Sequence, residues 1–303
     1  MTEHRKTGKF NIRRFWIRRI LRIWPLYVVS AILIRFVLLN FDPFQTQALS
    51  NWVSEPTSTK NMFLFGFLHH LNIALYGSFP YLDPLWSISV EELFYLLFPL
   101  LLVLIKPGIR LFAGATLLFV CCKLTYYLYI PELFDCTNGK PAILWKLIFM
   151  MRYECIGIGI VGWYIFDSRN RFTTFLEIKG IQIMLLLLLV STLLWSDLFA
   201  YQHSIPCILA VLLFIPLASG KIFGLNFLYN KYLNYLGNTA YACYMWQLPV
   251  TGIIYAFLPA QHTIVNDLLI RILIILTVWI VSVCSWEFLE KPVLKLYRYI
   301  RPN

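Results

Sequence analysis

The sequence predicts an all-α fold, a polytopic bundle of transmembrane helices, from three observations. Of its 303 residues 59% are hydrophobic and only 14% charged, whereas a soluble domain carries about a quarter charged residues. Apolar runs recur along the whole chain, long enough at helical rise to cross a ~30 Å hydrocarbon core. The period-two alternation of membrane-barrel strands is absent.

The elements follow in order. Met1 to Arg22 reads as a basic cytoplasmic lead-in, with Arg14, Arg18 and Arg22 on one helical face, expected to lie on the inner surface and turn inward at Trp24-Pro25. The first span is about Trp24 to Leu39, and Asn40 to Lys60 forms a polar outer loop. Met62 to Tyr76 is apolar but short and holds His69-His70, which suits an interfacial or re-entrant piece. Further spans are expected at Trp86–Ile105, Leu111–Ile130, about Trp145–Phe166, Ile181–Trp195, His203–Leu217, Tyr235–Leu258 and Ile264–Phe288. The loop from Pro131 to Ala142 and a basic tail from Glu290 complete the chain.

Charge bias supports that count. With the N-terminus inside, nineteen Lys and Arg fall in inner segments and only Lys60 and Lys140 in outer loops, the positive-inside pattern of eight spans with both ends cytoplasmic. The net charge of +11 is therefore topological, and no nucleic-acid partner is expected. Seven cysteines, six of them in apolar runs and Cys136 alone in a loop, give no disulfide framework and no metal spacing. No cleavable signal peptide, internal repeat or linker is seen, so residues 1–303 read as one membrane domain: lead-in 1–22, bundle 23–289, tail 290–303.

One stretch concentrates chemistry: Leu85-Trp86-Ser87-Ile88-Ser89-Val90-Glu91-Glu92-Leu93-Phe94-Tyr95. On a helix Ser87, Glu91 and Tyr95 share a face, as do Ser89 and Glu92, and Trp86 suits the outer interface as an anchor. The bland reading is an interfacial Trp with two glutamates at a wet helix end. Two adjacent carboxylates in the first turns of a span favour instead a site that pairs with arginine or handles protons.

This stretch resembles the Trp-Ser-Leu-x-x-Glu-x-Phe-Tyr signature of the acyltransferase-3 family. Three others agree in order. Arg18-Arg19-Ile-Leu-Arg22-Ile-Trp-Pro25 resembles the family's arginine-rich entry into a span. Tyr235-Leu-Gly-Asn-Thr-Ala-Tyr-Ala-Cys-Tyr-Met-Trp246-Gln-Leu-Pro249 resembles its Tyr-Leu-Gly segment, and Trp286-Glu-Phe-Leu-Glu290-Lys-Pro292 its closing Glu-x-Pro element. The resemblance implies a multi-pass inner (plasma) membrane enzyme that O-acylates a hydroxyl of a cell-surface glycan or similar acceptor. It implies acyl-coenzyme A, with acetyl as the expected group, as donor substrate and no metal. Glu91, Glu92, Trp86 and Tyr95 would be its catalytic residues, and Arg19, Arg22 and Arg18 its donor-binding residues, because arginine forks bind phosphate. The competing reading for the arginines is topology and anionic lipid contact.

Two departures stand against the pattern. The family's first two spans, with an arginine and a catalytic histidine, are not in this sequence, and Gln247 stands where the seventh span has histidine. Glutamine hydrogen-bonds but exchanges no proton near neutral pH. A catalytically degenerate scaffold therefore stays open as an alternative, as does a small-solute transporter.

Elsewhere Arg152 and Glu154, followed by Gly157, Gly159 and Gly162, read equally as a structural ion pair or a substrate contact, with the glycines permitting close helix approach. Glu290 reads as meeting Arg or Lys at the inner surface. His69 and His70 point about 100° apart on a helix and chelate poorly. With the arginines entering from inside and the glutamates from outside, the two clusters are expected at opposite mouths of one trans-bilayer site.

Overall fold

A computed structural model describes residues 11–40, 57–77, 81–104, 109–129, 152–194, 204–224, 230–258 and 264–300, with 143 and 147. The expected outer loop over 41–56, the loop over 131–142 with Cys136, the start of the fourth span and both extreme termini lie outside the described residues. Among those described there is helix and no strand, so the fold is all-α.

Helix α1 runs from Ile12 to Ile32 and extends through a π-turn, Leu33–Val37, and a 3₁₀ turn, Leu38–Asn40. Its start is fixed by Asn11, whose side-chain oxygen accepts from the Arg14 amide at 2.9 Å, supplying a partner that the first helical turn lacks. The chain does not turn at Trp24-Pro25: Pro25 is carried inside the helix. The basic segment and the first apolar run are therefore one rod, which places Arg18, Arg19 and Arg22 on it.

Two short helices follow, α2 (Thr57–Phe65) and α3 (His69–Tyr76), and then α4 (Leu85–Leu104). The α2–α3 corner needs Phe67 at φ 57°, a left-handed conformation rare outside glycine. Phe67 is held there by stacking on Trp24 at 4.8 Å and Tyr27 at 4.3 Å between ring centroids. The Tyr27 hydroxyl donates to the Leu64 carbonyl at 2.8 Å. The α3 amide of His69 donates to Ser89 Oγ on α4 at 3.1 Å. His69 and His70 are fully buried, as are Lys60 and Asn72. Burial pushes His69 down to about 3, helped by the neighbouring charge of His70 and opposed by a backbone hydrogen bond at Leu82. Burial also brings His70 to about 4. Both rings are thus neutral in the folded protein near neutral pH. Among the described residues no cluster of His, Cys, Asp and Glu could hold a metal.

Next come α5 (Ile109–Tyr129), α6 (Tyr153–Ser168), α7 (Arg171–Leu176), α8 (Lys179–Leu194) and α9 (Ser204–Ala218). The long α10 (Lys231–Phe257) and α11 (Ile264–Ser285) close the order, with a π-turn, Trp286–Glu290, leading into α12 (Lys291–Ile300). The chain divides into two compact units: residues 1–104 with 235–303, and residues 105–234.

In the second unit α6 packs on both α5 and α9. A Cβ on Gly157 would collide with Thr116, and one on Gly162 with Val211, while Gly159 faces open space. Two of the three glycines thus mark helix crossings. Gln182 closes the other end: its Nε2 donates to the carbonyls of Leu176, Glu177 and Lys221, and its Oε1 accepts from the Phe223 amide at 2.6 Å.

Two described stretches, Ile12–Asn40 and Val265–Leu296, are long and apolar enough to cross a membrane. Large apolar side chains are exposed throughout, including Leu194 at 76% and Leu118 at 66%. Exposure on this scale means a partner or lipid in place of water.

Candidate active site

The site grows from the antiparallel pairing of α1 and α4. As α1 advances from Trp16 to Trp24, its contacts retreat along α4 from Tyr95 to Glu92. Trp16 Nε1 donates to the Tyr95 carbonyl at 2.9 Å, and Trp24 Nε1 donates to Glu92 Oε2 at 3.2 Å. Between them Arg19 lies over the Tyr95 ring, 4.4 Å from its centroid, and Nη1 donates to the Tyr95 hydroxyl at 3.4 Å. That hydroxyl donates onward to Glu91 Oε2 at 3.1 Å, across one helical turn.

The arginine and glutamate motifs therefore sit at one level. The expected separation into opposite mouths is corrected, and the reason is the uninterrupted α1: a helix that starts at Ile12 carries Arg19 about 10 Å along its axis before Trp24 is reached. Arg18 and Arg22 are exposed on the same helix.

The other two motif segments join the same seam. On α10, Tyr244 and Ser87 share a hydrogen bond at 2.8 Å, and the Tyr244 hydroxyl also reaches the Pro84 carbonyl at 3.1 Å. One turn earlier the Tyr241 hydroxyl donates to the Ile23 carbonyl on α1 at 3.0 Å. The π-turn packs on α1 and holds Glu290, 3% exposed and within reach of the Arg22 charge. Glu290 is buried in the seam and is not a surface ion-pair partner; it is Glu287 that pairs with Lys291 at 2.5 Å and accepts from Tyr235 at 3.1 Å.

Three buried polar atoms here have no hydrogen-bond partner among the described residues: Glu92 Oε1, Glu290 Oε1 and Trp246 Nε1. Buried polar atoms are nearly always paired in native structures. The seam thus offers two spare acceptors on carboxylates and one spare indole donor, the complement a polar substrate would need.

Of the residues expected from sequence, Arg19, Glu91, Glu92 and Tyr95 are brought together. Trp86 is half-buried in the first turn of α4, on a different face from Glu91. Gln247 is exposed. Tyr241, Tyr244, Trp24, Trp246 and Glu290 were not expected as site residues. The available signal was the i, i+3 spacing of Tyr241 and Tyr244, which puts both hydroxyls on the face that meets α1 and α4.

The acyltransferase-3 family model, an acyltransferase domain, matches residues 1–287. YrhL of Bacillus subtilis, assigned as a peptidoglycan O-acetyltransferase, is 26% identical over 93% of this chain and 46% of its own length. The O-acetyltransferase OatA of Staphylococcus aureus is 24% identical over 97% of this chain and 49% of its own. An uncharacterised protein of Haemophilus influenzae is 23% identical over 69% of this chain and 84% of its own. The chain thus spans about half the length of YrhL and OatA. No solved structure matches. A family model that covers residues 1–287 establishes that the chain belongs to the acyltransferase-3 family.

Proposed function

We propose that the protein is an integral-membrane O-acyltransferase that moves an acetyl group from acetyl-coenzyme A to a hydroxyl of a cell-surface glycan. Peptidoglycan is the acceptor suggested by the names of YrhL and OatA. The eight-span arrangement in the plasma membrane, with both ends cytoplasmic, is part of the same reading and rests on the charge bias.

The observation that carries it is the seam itself: Arg19, Tyr95 and Glu91 in one hydrogen-bonded chain, beside a half-buried Glu92 whose buried Oε1 has no hydrogen-bond partner among the described residues. Glu92 Oε1 is suited to accept the acceptor hydroxyl's proton as that oxygen bonds to the acyl carbon. The thioester C–S bond breaks, and the thiol leaves with the proton restored. Arg18 and Arg22, exposed and one turn apart, are suited to donor phosphates. Trp246 Nε1 is a spare donor of the kind that stabilises a developing oxyanion.

The test uses membranes holding the protein, labelled acetyl-coenzyme A and isolated cell-wall glycan, with alkali-labile acetate as the readout. Glu92→Gln should lower transfer about 100-fold or more at unchanged protein level. Transfer by that variant at the wild-type rate would remove Glu92 from the chemistry.

A further inference from the structure

The cysteines form no framework by spacing, yet the second unit brings two of them together across helices. Cys155 lies in the first turn of α6 and Cys207 in the first turn of α9, 52 positions later in the chain. The Cys207 thiol donates to the Cys155 main-chain carbonyl at 3.6 Å, and the two cysteine side chains also act on each other directly. Both are reduced and half-buried. A thiol resting on its partner's own main chain marks two cysteines that face each other at one level, the arrangement a disulfide needs.

The helix packing explains the approach. A Cβ on Gly162 would stand 2.1 Å from Val211 Cγ1, so the glycine lets an α9 side chain rest on the α6 backbone. This crossing lies about two turns beyond Cys155 and about one beyond Cys207, so α6 and α9 run in the same direction. Both cysteines are therefore at the N-terminal ends of their helices, on one face of the bilayer. In the eight-span reading, on which this part of the inference rests, that is the outer face. Disulfides form and persist in oxidising compartments outside the cytosol, whereas cytosolic thiols are kept reduced.

Three charged groups stand beside the pair. Glu154 adjoins Cys155 and is paired with Lys123 at 2.5 Å. Arg152, whose Nε is buried, lies one turn before Cys155 at the head of α6. Two cations against one carboxylate leave a positive excess where a thiolate, the attacking form of cysteine, has to form.

We propose that Cys155 and Cys207 are a dithiol site that closes to an interhelical disulfide by exchange with a disulfide oxidant at the outer face. One cysteine thiolate attacks the oxidant's S–S bond and releases the first of its two thiols. The thiolate of the other cysteine attacks the resulting mixed disulfide and releases the second. The oxidant takes up two electrons and the two cysteine protons, and one S–S bond forms for the one that breaks. The new bond ties the first turn of α6 to that of α9 and uses no residue of the acyl-transfer seam.

The test treats membranes holding the full chain with diamide, which crosses bilayers and whose azo bond takes up two electrons and two protons. The protein is then denatured, its remaining thiols are blocked, and its peptides are read by mass spectrometry. Wild type should give a Cys155–Cys207 linked peptide in most molecules, cleaved by dithiothreitol. Cys207→Ser should lose it and return Cys155 as the blocked thiol. Recovery of both cysteines as blocked thiols in wild type, or of either linked to a different cysteine, would overturn the assignment. The side of access is read separately with oxidised glutathione, which does not cross the bilayer. It should close the bond when added to spheroplasts and leave it open in inside-out vesicles. Closure in the vesicles instead, or in neither preparation, would overturn exchange at the outer face.

Discussion

Arg19 and Glu91 never touch, yet one phenol joins them: Tyr95 accepts from the guanidinium at 3.4 Å and donates to the carboxylate at 3.1 Å. The residues come from motifs more than seventy positions apart. The ring that carries this hydroxyl is also the surface on which Arg19 lies, so position and polarity are set by the same side chain.

Tyr95→Phe separates those two roles. The cation–π contact, about 0.5–2 kcal/mol, survives, and only the hydroxyl link is lost. Acetyl transfer should fall about 10- to 100-fold, while thermal stability stays within about 1 kcal/mol of wild type. An unchanged transfer rate with intact folding would show that the link is architectural only.

Tyr244→Phe should behave differently. Its hydroxyl bridges Ser87 and the Pro84 carbonyl at the start of α4, which positions the helix and touches no carboxylate. Removing it should cost roughly 1 kcal/mol of stability with little change in transfer per folded molecule, read as activity normalised to a thermal-shift assay.

Stability should decline on acidification because of the α3 histidines. Both are held below the ordinary 6.5, at about 3 and about 4. The unfolded chain therefore binds protons that the folded chain refuses. Their contribution is complete above pH 6.5 and is lost as the pH falls through 6 toward 4. His69 alone should cost on the order of 1 kcal/mol between pH 6.5 and 5.5. His69→Gln should flatten the decline in melting temperature over that interval; an equally steep decline in this variant would assign it to other groups.

Gln182→Leu is expected to be among the most damaging single changes in the second unit. Three carbonyls and one amide lose the side chain that joins α7, α8 and the Lys221–Phe223 turn. Leaving such groups buried costs about 1–3 kcal/mol each where water cannot replace the bond. A loss of less than about 1 kcal/mol in denaturant or thermal unfolding would mean that water does replace it.

The sequence made the helices legible where apolar runs were uninterrupted. The run expected at Trp86–Ile105 is the helix Leu85–Leu104, and that at His203–Leu217 is Ser204–Ala218. It misled where charge was taken as a boundary. Arg13 to Arg22 read as a surface lead-in, but Phe15, Trp16, Ile20 and Leu21 among them keep the helical period, and nothing in Trp24-Pro25 breaks a helix already begun. The α2–α3 corner was hidden too: Lys60 read as the end of a polar loop and Met62 to Tyr76 as one short interfacial or re-entrant piece, yet the chain breaks at Phe67 and Lys60, His69 and Asn72 are buried. An ion pair at Glu154 was one of two equal readings of the fourth span, and a cation that pairs with it, Lys123, comes from another helix, which spacing along one helix cannot reveal. Glu91, Glu92, Tyr95 and Arg19 were legible because local motifs carry them. Tyr241, Tyr244 and Glu290 matter through packing across the fold, which no local pattern records.

The central claim is that Arg19 and Glu91 act as one unit through Tyr95, and a double-mutant cycle on acetyl transfer tests it most directly. Arg19→Gln and Glu91→Gln should each lower transfer about 100-fold, and the double variant should be little worse than either, a coupling on the order of 2–3 kcal/mol. Losses that multiply to about 10⁴-fold in the double variant would show two independent residues and contradict the shared seam.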